Sequence, residues 1–175
     1  WDHFEKALSK DYQVVLIDLP GHGRSDWTLE ESTLEAAAND IHKTLGDHGI
    51  YEYFLIGHSL GGYISLAIAE LFSHSVTGLG LINSTTFADA EEKKSTRDKL
   101  IRYIEKHGVA SFTNNFVPTL FAPDSRKKYE SEIKILKEQA AKTSLEGAIG
   151  FAEAMKARPD RTHILVTSDN PTFII

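Results

Sequence analysis

The chain has 175 residues, a formal net charge of −6 at neutral pH, 41% hydrophobic residues and no cysteine. The acidic balance offers no basic surface for nucleic acid, and no apolar run is as long as a membrane-spanning helix. Without cysteine the chain has no disulfide, thiolate metal ligand or cysteine nucleophile, which permits a reducing compartment, and we expect a cytoplasmic protein. The length and the ordinary globular composition predict one domain.

The first 26 residues predict a helix, a strand and a loop. Trp1, Phe4 and Leu8 are spaced as one face of a short amphipathic helix. Residues 12–17 are rich in β-branched side chains and predict a buried strand. The glycine-rich run at residues 19–26 predicts a loop. It does not fit a dinucleotide-binding fingerprint, which needs a third glycine and a following helix.

A helix, a strand, a helix and a strand are predicted next. Ser32 and Glu35 have the spacing of a capping box, and Gly49 predicts the end of the first helix. Strands are expected at 53–56 and 76–82, with a helix at about 60–72 between them. This alternation predicts a parallel sheet covered by helices on both faces. The apolar stripe of the first helix consists of Leu34, Ala37, Ile41 and Leu45.

Ser59 stands where the strand at 53–56 meets the helix at 60–72, inside the sequence GHSLG. A serine raised above a sheet needs a sharp turn that strains its backbone and brings the residues two before and two after it together. We therefore interpret Gly57 and Gly61 as positions where a Cβ would clash. The helix N-terminus would direct the Leu60 N–H at an oxyanion formed at Ser59.

Neither chance nor phosphate binding accounts well for this motif. A bare G-x-S-x-G arises by chance in roughly one chain in twenty of this length, but chance does not supply the strand before it and the helix after it. A phosphate-binding loop is excluded because Tyr63 stands where that motif requires lysine.

Residues 88–160 predict helices alone. One helix is expected to end at His107, a second to cover about 129–140, and a third to cover about 145–157 before Pro159. Residues 171–175 are apolar and predict a strand that returns to the sheet. A bent segment between the first two helices carries aromatic rings for which core packing is the favoured role and lining of a substrate pocket the alternative. These rings belong to Phe112, Phe116 and Phe121.

Three stretches carry a family resemblance: DLPGHGRSD at 18–26, GHSLGG at 57–62, and a helical segment ending in MKARPDR at 155–161. Together they resemble the α/β-hydrolase superfamily with a helical lid. The resemblance implies a three-layer α/β core with a parallel sheet at residues 1–87, an inserted all-helical lid at 88–160, and a return to the core at 161–175. It also implies earlier strands carrying a second oxyanion N–H, and a later acid and histidine. We therefore interpret the chain as a fragment of a longer hydrolase.

The histidines of the chain do not fit the base of a Ser-His-acid triad, which follows the serine in this family. His74, His107 and His163 are late enough in the sequence, but each is better interpreted as a surface or helix-capping residue. We interpret His22 as part of the loop structure and His58 as facing away from the reacting atom.

Two aspartates are candidates for the triad acid. Asp89 follows the strand at 76–82 and could be a displaced acid, but a charge at the start of the lid accounts for it better. Asp169 precedes the last strand, whereas the family acid follows it, so we reject Asp169.

The resemblance implies that Ser59 attacks a carbonyl carbon and that the Leu60 N–H helps to hold the oxyanion. The expected substrate is a small carboxylic ester, thioester or lactone with an apolar part, and no metal or organic cofactor is expected. The alternatives are a carbon–carbon bond hydrolase or lyase of the same fold, and a non-catalytic ligand-binding module. Dehalogenases and epoxide hydrolases of this fold usually carry aspartate in place of Ser59, which argues against both. Residues 1–175 alone are expected to be inactive.

Overall fold

The fold is described by a computed structural model that covers residues 1–175. Eleven regular elements are connected by loops and short 3-10 turns. In chain order they are α1 (Asp2–Leu8), α2 (Leu34–Asp47), β1 (Tyr53–His58), α3 (Leu60–Leu71), β2 (Val76–Ile82), α4 (Glu91–His107), α5 (Val109–Phe116), α6 (Glu130–Ala140), α7 (Leu145–Ala157), α8 (Thr162–Thr167) and β3 (Thr172–Ile174).

The three strands form one parallel sheet in the order β1-β2-β3. Gly57 pairs with Leu81 and His58 with Ile82, so the carboxyl ends of β1 and β2 lie side by side. At the other edge of β2, Leu81 pairs with Ile174. The parallel sheet and the returning strand near the end of the chain are therefore confirmed.

One face of the sheet is covered by α3, and α2 and α7 pack behind it. The predicted apolar stripe of α2 is buried, and it joins a single cluster with α3 and α7. Phe151 and Ala154 are the buried members from α7. A helix that the sequence assigns to the lid thus contributes to the main core, and the division at residues 88 and 160 stays a prediction.

The opposite face of the sheet is exposed, which differs from the expected cover on both faces. Phe54 is 45% exposed and its ring lies over Gly78, while Phe173 is 37% exposed and its ring lies over Gly80. The two rings stack with centroids 6.1 Å apart. The glycines of β2 leave room for these rings, which cover the middle strand where no helix packs.

The prediction of a strand at residues 12–17 is wrong. This segment makes no backbone hydrogen bond to a distant part of the chain, and Val15, Leu16 and Ile17 are exposed. An apolar β-rich sequence becomes a strand only when a neighbour pairs with it, and here no neighbouring strand lies beside it. By contrast, α1 forms where its apolar spacing predicts it.

The start of α2 is shifted by one residue from the prediction. Thr33, not Ser32, is the N-cap, and its Oγ1 accepts a hydrogen bond of 3.0 Å from the Ala36 N–H. Glu35 is then one position too early to close a capping box, and it binds Arg161 instead. The predicted stop at Gly49 is confirmed by its left-handed backbone, with φ of 74°.

The chain leaves the sheet for the helices α4 to α7, here called the helical insertion (residues 91–157), and returns beside the point where it left. The Arg161 N–H donates to the Thr86 carbonyl at 2.8 Å, and the Oγ1 atoms of Thr86 and Thr162 are 3.0 Å apart. Arg158 Nε donates to the Phe87 carbonyl at 3.1 Å. The outgoing and returning segments are therefore joined to each other.

None of the three phenylalanines in the bent segment is buried, so the favoured core-packing interpretation is wrong. Phe112 and Phe116 stack with ring centroids 5.0 Å apart, but Phe116 is 43% exposed. Phe121 is half-buried. The alternative, that these rings line a substrate pocket, stays a prediction.

None of the helices has the length and apolar character needed to cross a membrane.

Candidate active site

Ser59 occupies a single-residue turn between the last residue of β1 and the first residue of α3. Its backbone angles are φ 50° and ψ −113°, and Asn83 is the one other non-glycine residue with positive φ. A side chain in such a conformation costs about 1–3 kcal/mol and persists only where the surroundings hold it. The Ser59 N–H donates to the Ile82 carbonyl at 2.9 Å, and the Ser59 carbonyl accepts from Ser84 Oγ at 3.0 Å. The predicted strand-turn-helix geometry is present.

Gly57 meets the steric requirement expected of it. A Cβ on Gly57 would overlap the backbone of Gly61 and the amide nitrogen of Gly62. The turn at Ser59 brings the end of β1 and the start of α3 within backbone contact, and no side chain fits between them at position 57.

The same requirement is absent at Gly61, which corrects the sequence interpretation. A Cβ on Gly61 would meet no atom within 4 Å, and its backbone does not have positive φ. The close approach is one-sided, because the Cβ direction at position 57 leads into α3 while that at position 61 leads into open space. Gly62 is the second position without room, since a Cβ there would overlap the Ser84 side chain.

This asymmetry predicts opposite outcomes for two otherwise identical substitutions. Gly57→Ala is expected to lower the free energy of unfolding by about 3 kcal/mol, because overpacking against backbone cannot be relieved by a rotamer change. Gly61→Ala is expected to leave stability unchanged or raise it by up to about 1 kcal/mol, because alanine is the better helix former. Urea unfolding followed by circular dichroism measures both, and equal destabilisation by the two variants would contradict the asymmetry.

The N-terminus of α3 lies directly after Ser59. The helical hydrogen bonds begin with Gly62 N–H and Tyr63 N–H, which donate to the Ser59 carbonyl at 2.9 and 3.3 Å. The N–H groups of Leu60 and Gly61 have no acceptor within the helix, as at any helix N-terminus. Together with the helix dipole they favour negative charge at this place.

No histidine of the chain is bonded to Ser59, whose Oγ makes no hydrogen bond to another side chain. His22 Nδ1 lies 3.0 Å from the Pro20 carbonyl, which confirms its role in the loop structure. His163 Nε2 lies 3.1 Å from Glu70 Oε1, and the His107 ring lies beside Tyr103 at the end of α4. His58 is exposed at the end of β1.

Asp89 is fully buried and surrounded by cations. Its carboxylate pairs with Arg97, with Arg158 Nη2 at 2.8 Å and with Lys93 Nζ at 3.8 Å. Burial alone would raise the pKa of Asp89, but the hydrogen bonds from the two arginines outweigh it and hold the pKa below its ordinary value. Both carboxylate oxygens are engaged in ion pairs, which supports the interpretation of Asp89 as a charge at the start of the helical insertion. Asp169 lies before β3, as predicted.

Two residues next to the turn were missed by sequence reasoning. Asn83 and Ser84 follow β2 directly, and Ser84 contacts the backbone of Ser59. Because the carboxyl ends of neighbouring parallel strands share one edge of a sheet, the polar run after β2 could have been placed beside Ser59 from the predicted topology. The buried Arg158, whose guanidinium lies 3.9 Å from the Tyr63 ring centroid, left no comparable signal.

A polar cleft of about 510 Å³ lies between the loop at 19–26 and the start of α7, and Ser59 does not line it. Trp27 is its one apolar residue, and Arg24, Asp26, Lys142 and Glu146 supply charges of both signs. No three histidine or acidic side chains lie together as a metal site would require.

Comparisons with known proteins agree with this geometry. A family model described as the alpha/beta hydrolase fold matches residues 1–122. A protein of Cronobacter sakazakii assigned as the carbamate hydrolase RutD is 40% identical over 84 residues, which is 47% of this chain and 31% of that protein. The chain thus matches less than a third of this relative's length.

Two solved structures share the fold over almost the whole chain. An esterase from Thermogutta terrifontis aligns with a TM-score of 0.91 and 25% identity, covering 99% of this chain and 64% of the esterase. The enol-lactonase from Burkholderia xenovorans LB400 aligns with a TM-score of 0.85 and 21% identity, covering 97% of this chain and 64% of the lactonase.

Proposed function

Because the chain belongs to the α/β-hydrolase fold family, we propose that Ser59 is the nucleophile of a hydrolase that cleaves a carboxylic ester, a thioester or a lactone. The observation that carries the proposal is the strained backbone of Ser59 at the junction of β1 and α3. Proteins keep such strain at functional sites, where it presents a side chain that a relaxed turn would not.

In the proposed reaction, Ser59 Oγ adds to the substrate carbonyl carbon while a general base removes its proton. The carbonyl oxygen becomes an oxyanion, and the Leu60 N–H at the N-terminus of α3 stabilises it. As this intermediate collapses, the base gives the proton to the leaving oxygen or sulfur, the bond to the alcohol or thiol breaks, and an acyl group remains on Ser59. Water, deprotonated by the same base, then adds to the acyl carbon; the bond to Ser59 Oγ breaks, the proton returns to Oγ, and the carboxylic acid is released.

The base and its orienting acid are proposed to lie outside residues 1–175. No histidine here is within hydrogen-bonding distance of Ser59 Oγ, and the one fully buried aspartate, Asp89, is held by arginines. The residues that this chain contributes are therefore the nucleophile, one oxyanion donor and the glycines that shape the turn.

The substrate class is supported by the named relatives. Two of the similar solved structures are an esterase and an enol-lactonase, both of which act on an acyl–oxygen bond by name. A carbamate, the substrate class in the name of the RutD relative, presents the same kind of carbonyl to the serine. We propose that the rings of Phe112, Phe116 and Phe121, of which Phe116 is exposed and the other two are partly buried, give the apolar part of the substrate its binding surface.

A serine-directed fluorophosphonate tests the proposal in the intact protein. We expect one covalent adduct, located by peptide mass spectrometry on the segment that contains Ser59. Ser65→Ala is the matched control, because Ser65 lies further along α3 and donates to the Gly61 carbonyl; this variant should label normally. Absence of labelling in the wild-type protein would favour a non-catalytic binding module, and an adduct on another serine would contradict the proposed nucleophile.

A further inference from the structure

Two strained turns lie side by side at the carboxyl edge of the sheet. Ser59 follows β1 with φ 50°, and Asn83 follows β2 with φ 46°. The strands before them are paired up to His58 and Ile82, and the Ser59 N–H donates to the Ile82 carbonyl at 2.9 Å. The turn after β2 is thus in direct contact with the turn that carries Ser59.

Ser84 makes a second contact between the two turns, at the carbonyl group of Ser59 rather than at its N–H. Its Oγ donates a hydrogen bond of 3.0 Å to the Ser59 carbonyl. Its side chain also occupies the space next to Gly62, where a Cβ would overlap it. The Ser84 side chain therefore lies between the backbone of the turn and the first turn of α3.

The Ser59 carbonyl and the Leu60 N–H belong to one peptide group. The peptide group is planar and trans, so its C=O and N–H point in opposite directions, and fixing one fixes the other. A hydrogen bond to the carbonyl oxygen also polarises the same group and strengthens its N–H as a donor. Whatever holds the Ser59 carbonyl consequently aims the Leu60 N–H.

The helix by itself does not fix this carbonyl relative to the sheet. Its two helical donors, Gly62 N–H at 2.9 Å and Tyr63 N–H at 3.3 Å, share one acceptor and move together with α3. The Ser84 hydroxyl comes from the loop after β2, so it ties the peptide group to the sheet that carries the turn.

We propose that Ser84 is a positioning residue that aims the Leu60 N–H at the oxyanion. The inference rests on the proposed serine hydrolase function, and in it Ser84 acts through the Ser59–Leu60 peptide group rather than on the substrate. Loss of its hydroxyl should weaken stabilisation of the transition state while leaving substrate binding unchanged, because the oxyanion forms only after binding.

The test compares Ser84→Ala and Ser84→Cys with Thr86→Val in the intact protein. Cysteine fills the same space with a poor hydrogen-bond donor. Thr86 lies in the same loop as Ser84, but its hydroxyl contacts Thr162 and not the turn at Ser59. For p-nitrophenyl ester hydrolysis we expect both Ser84 variants to lower kcat about tenfold, the effect of one hydrogen bond, with KM within about twofold of wild type. Affinity for an alkyl boronic acid, whose tetrahedral adduct mimics the oxyanion, should fall by a similar factor. Thr86→Val should change neither quantity.

A measurement that needs no catalysis separates this inference from the proposed function. In ¹⁵N-leucine-labelled protein, the amide resonance of Leu60 should shift in both Ser84 variants and stay in place in Thr86→Val. An unchanged Leu60 resonance, an unchanged kcat, or a rise in KM that accounts for the whole loss would overturn the role of Ser84. If Ser59→Ala keeps full activity, the proposed nucleophile fails, while the Leu60 resonance still decides whether Ser84 holds the peptide group.

Discussion

Replacing Ser59 with alanine is expected to reduce kcat/KM for a p-nitrophenyl ester by about 10⁴-fold or more in the intact protein, since a serine hydrolase without its nucleophile keeps only the contribution of binding and oxyanion stabilisation. The fold should survive, because alanine has the same Cβ in the same strained backbone and the hydroxyl makes no side-chain hydrogen bond. Steady-state hydrolysis and thermal unfolding measure the two expectations separately.

Ser59→Gly provides the informative companion to this substitution. Glycine adopts positive φ without steric cost, so this variant should be as inactive as Ser59→Ala but more stable than wild type by about 1 kcal/mol or more. If the protein becomes more stable when Ser59 loses its side chain, the strain at the turn is retained for function and not for stability. Activity within tenfold of wild type in either variant would contradict the role of Ser59.

Replacing Asp89 with asparagine is expected to lower the free energy of unfolding at neutral pH by about 3 kcal/mol, because it leaves buried cations without their counter-charge. The Asp89 side chain is fully buried, and Arg158 beside it is 3% exposed, so water cannot compensate the loss. The substitution is nearly isosteric, which separates the loss of charge from a change in packing. Chemical unfolding at neutral pH measures the effect.

The difference in stability between wild type and Asp89→Asn depends on pH, and the direction of the pKa shift of Asp89 determines how. The arginines hold the pKa of Asp89 below its ordinary value, so the ionised carboxylate stabilises the fold above about pH 4, the ordinary pKa of an aspartate. That contribution is lost as the pH falls through the lower pKa of the folded state. The difference in Tm between wild type and Asp89→Asn should therefore be constant at neutral pH and shrink below about pH 4.

Asp98→Asn is the matched control, at an aspartate in α4, nine residues after Asp89. Asp98 also has a lowered pKa, because Lys156 Nζ donates to it at 2.8 Å, and this ion pair joins α4 to α7. The Asp98 side chain is 42% exposed, so water replaces the lost ion pair and stability should change little. An equal loss of stability in the two variants would mean that the burial of Asp89 has no energetic significance.

Elements whose pattern is local were predicted well from the sequence. The structure places β2 at Val76–Ile82 and α7 at Leu145–Ala157, as the apolar run and the Pro159 boundary indicate. Ser59 was located because its turn, its strand and its helix are adjacent in the sequence. In each case the residues that decide the structure lie within a few positions of one another.

Three features that depend on distant partners were not predicted. Residues 12–17 have the composition of a strand but no neighbour to pair with, and composition does not report the neighbour. Gly61 was judged by symmetry with Gly57, although the direction of a Cβ is a property of the folded backbone. Ser84 donates to the carbonyl of Ser59, 25 positions earlier in the sequence, and Arg158 donates to that of Phe87, 71 positions earlier. No periodic pattern marks such contacts.

The joined connection between the sheet and the helical insertion limits how the insertion can move. The outgoing and returning segments are held together by hydrogen bonds of Arg158 and Arg161 and by the Thr86–Thr162 contact. The whole insertion therefore cannot rotate away from the sheet without breaking these contacts and the buried ion pair between Asp89 and Arg158. Beyond Gly108, by contrast, Val109, Thr113 and Val117 are the only buried residues up to position 129. We therefore expect motion of the insertion to be confined to this far tip, while the joined segments hold its root in place.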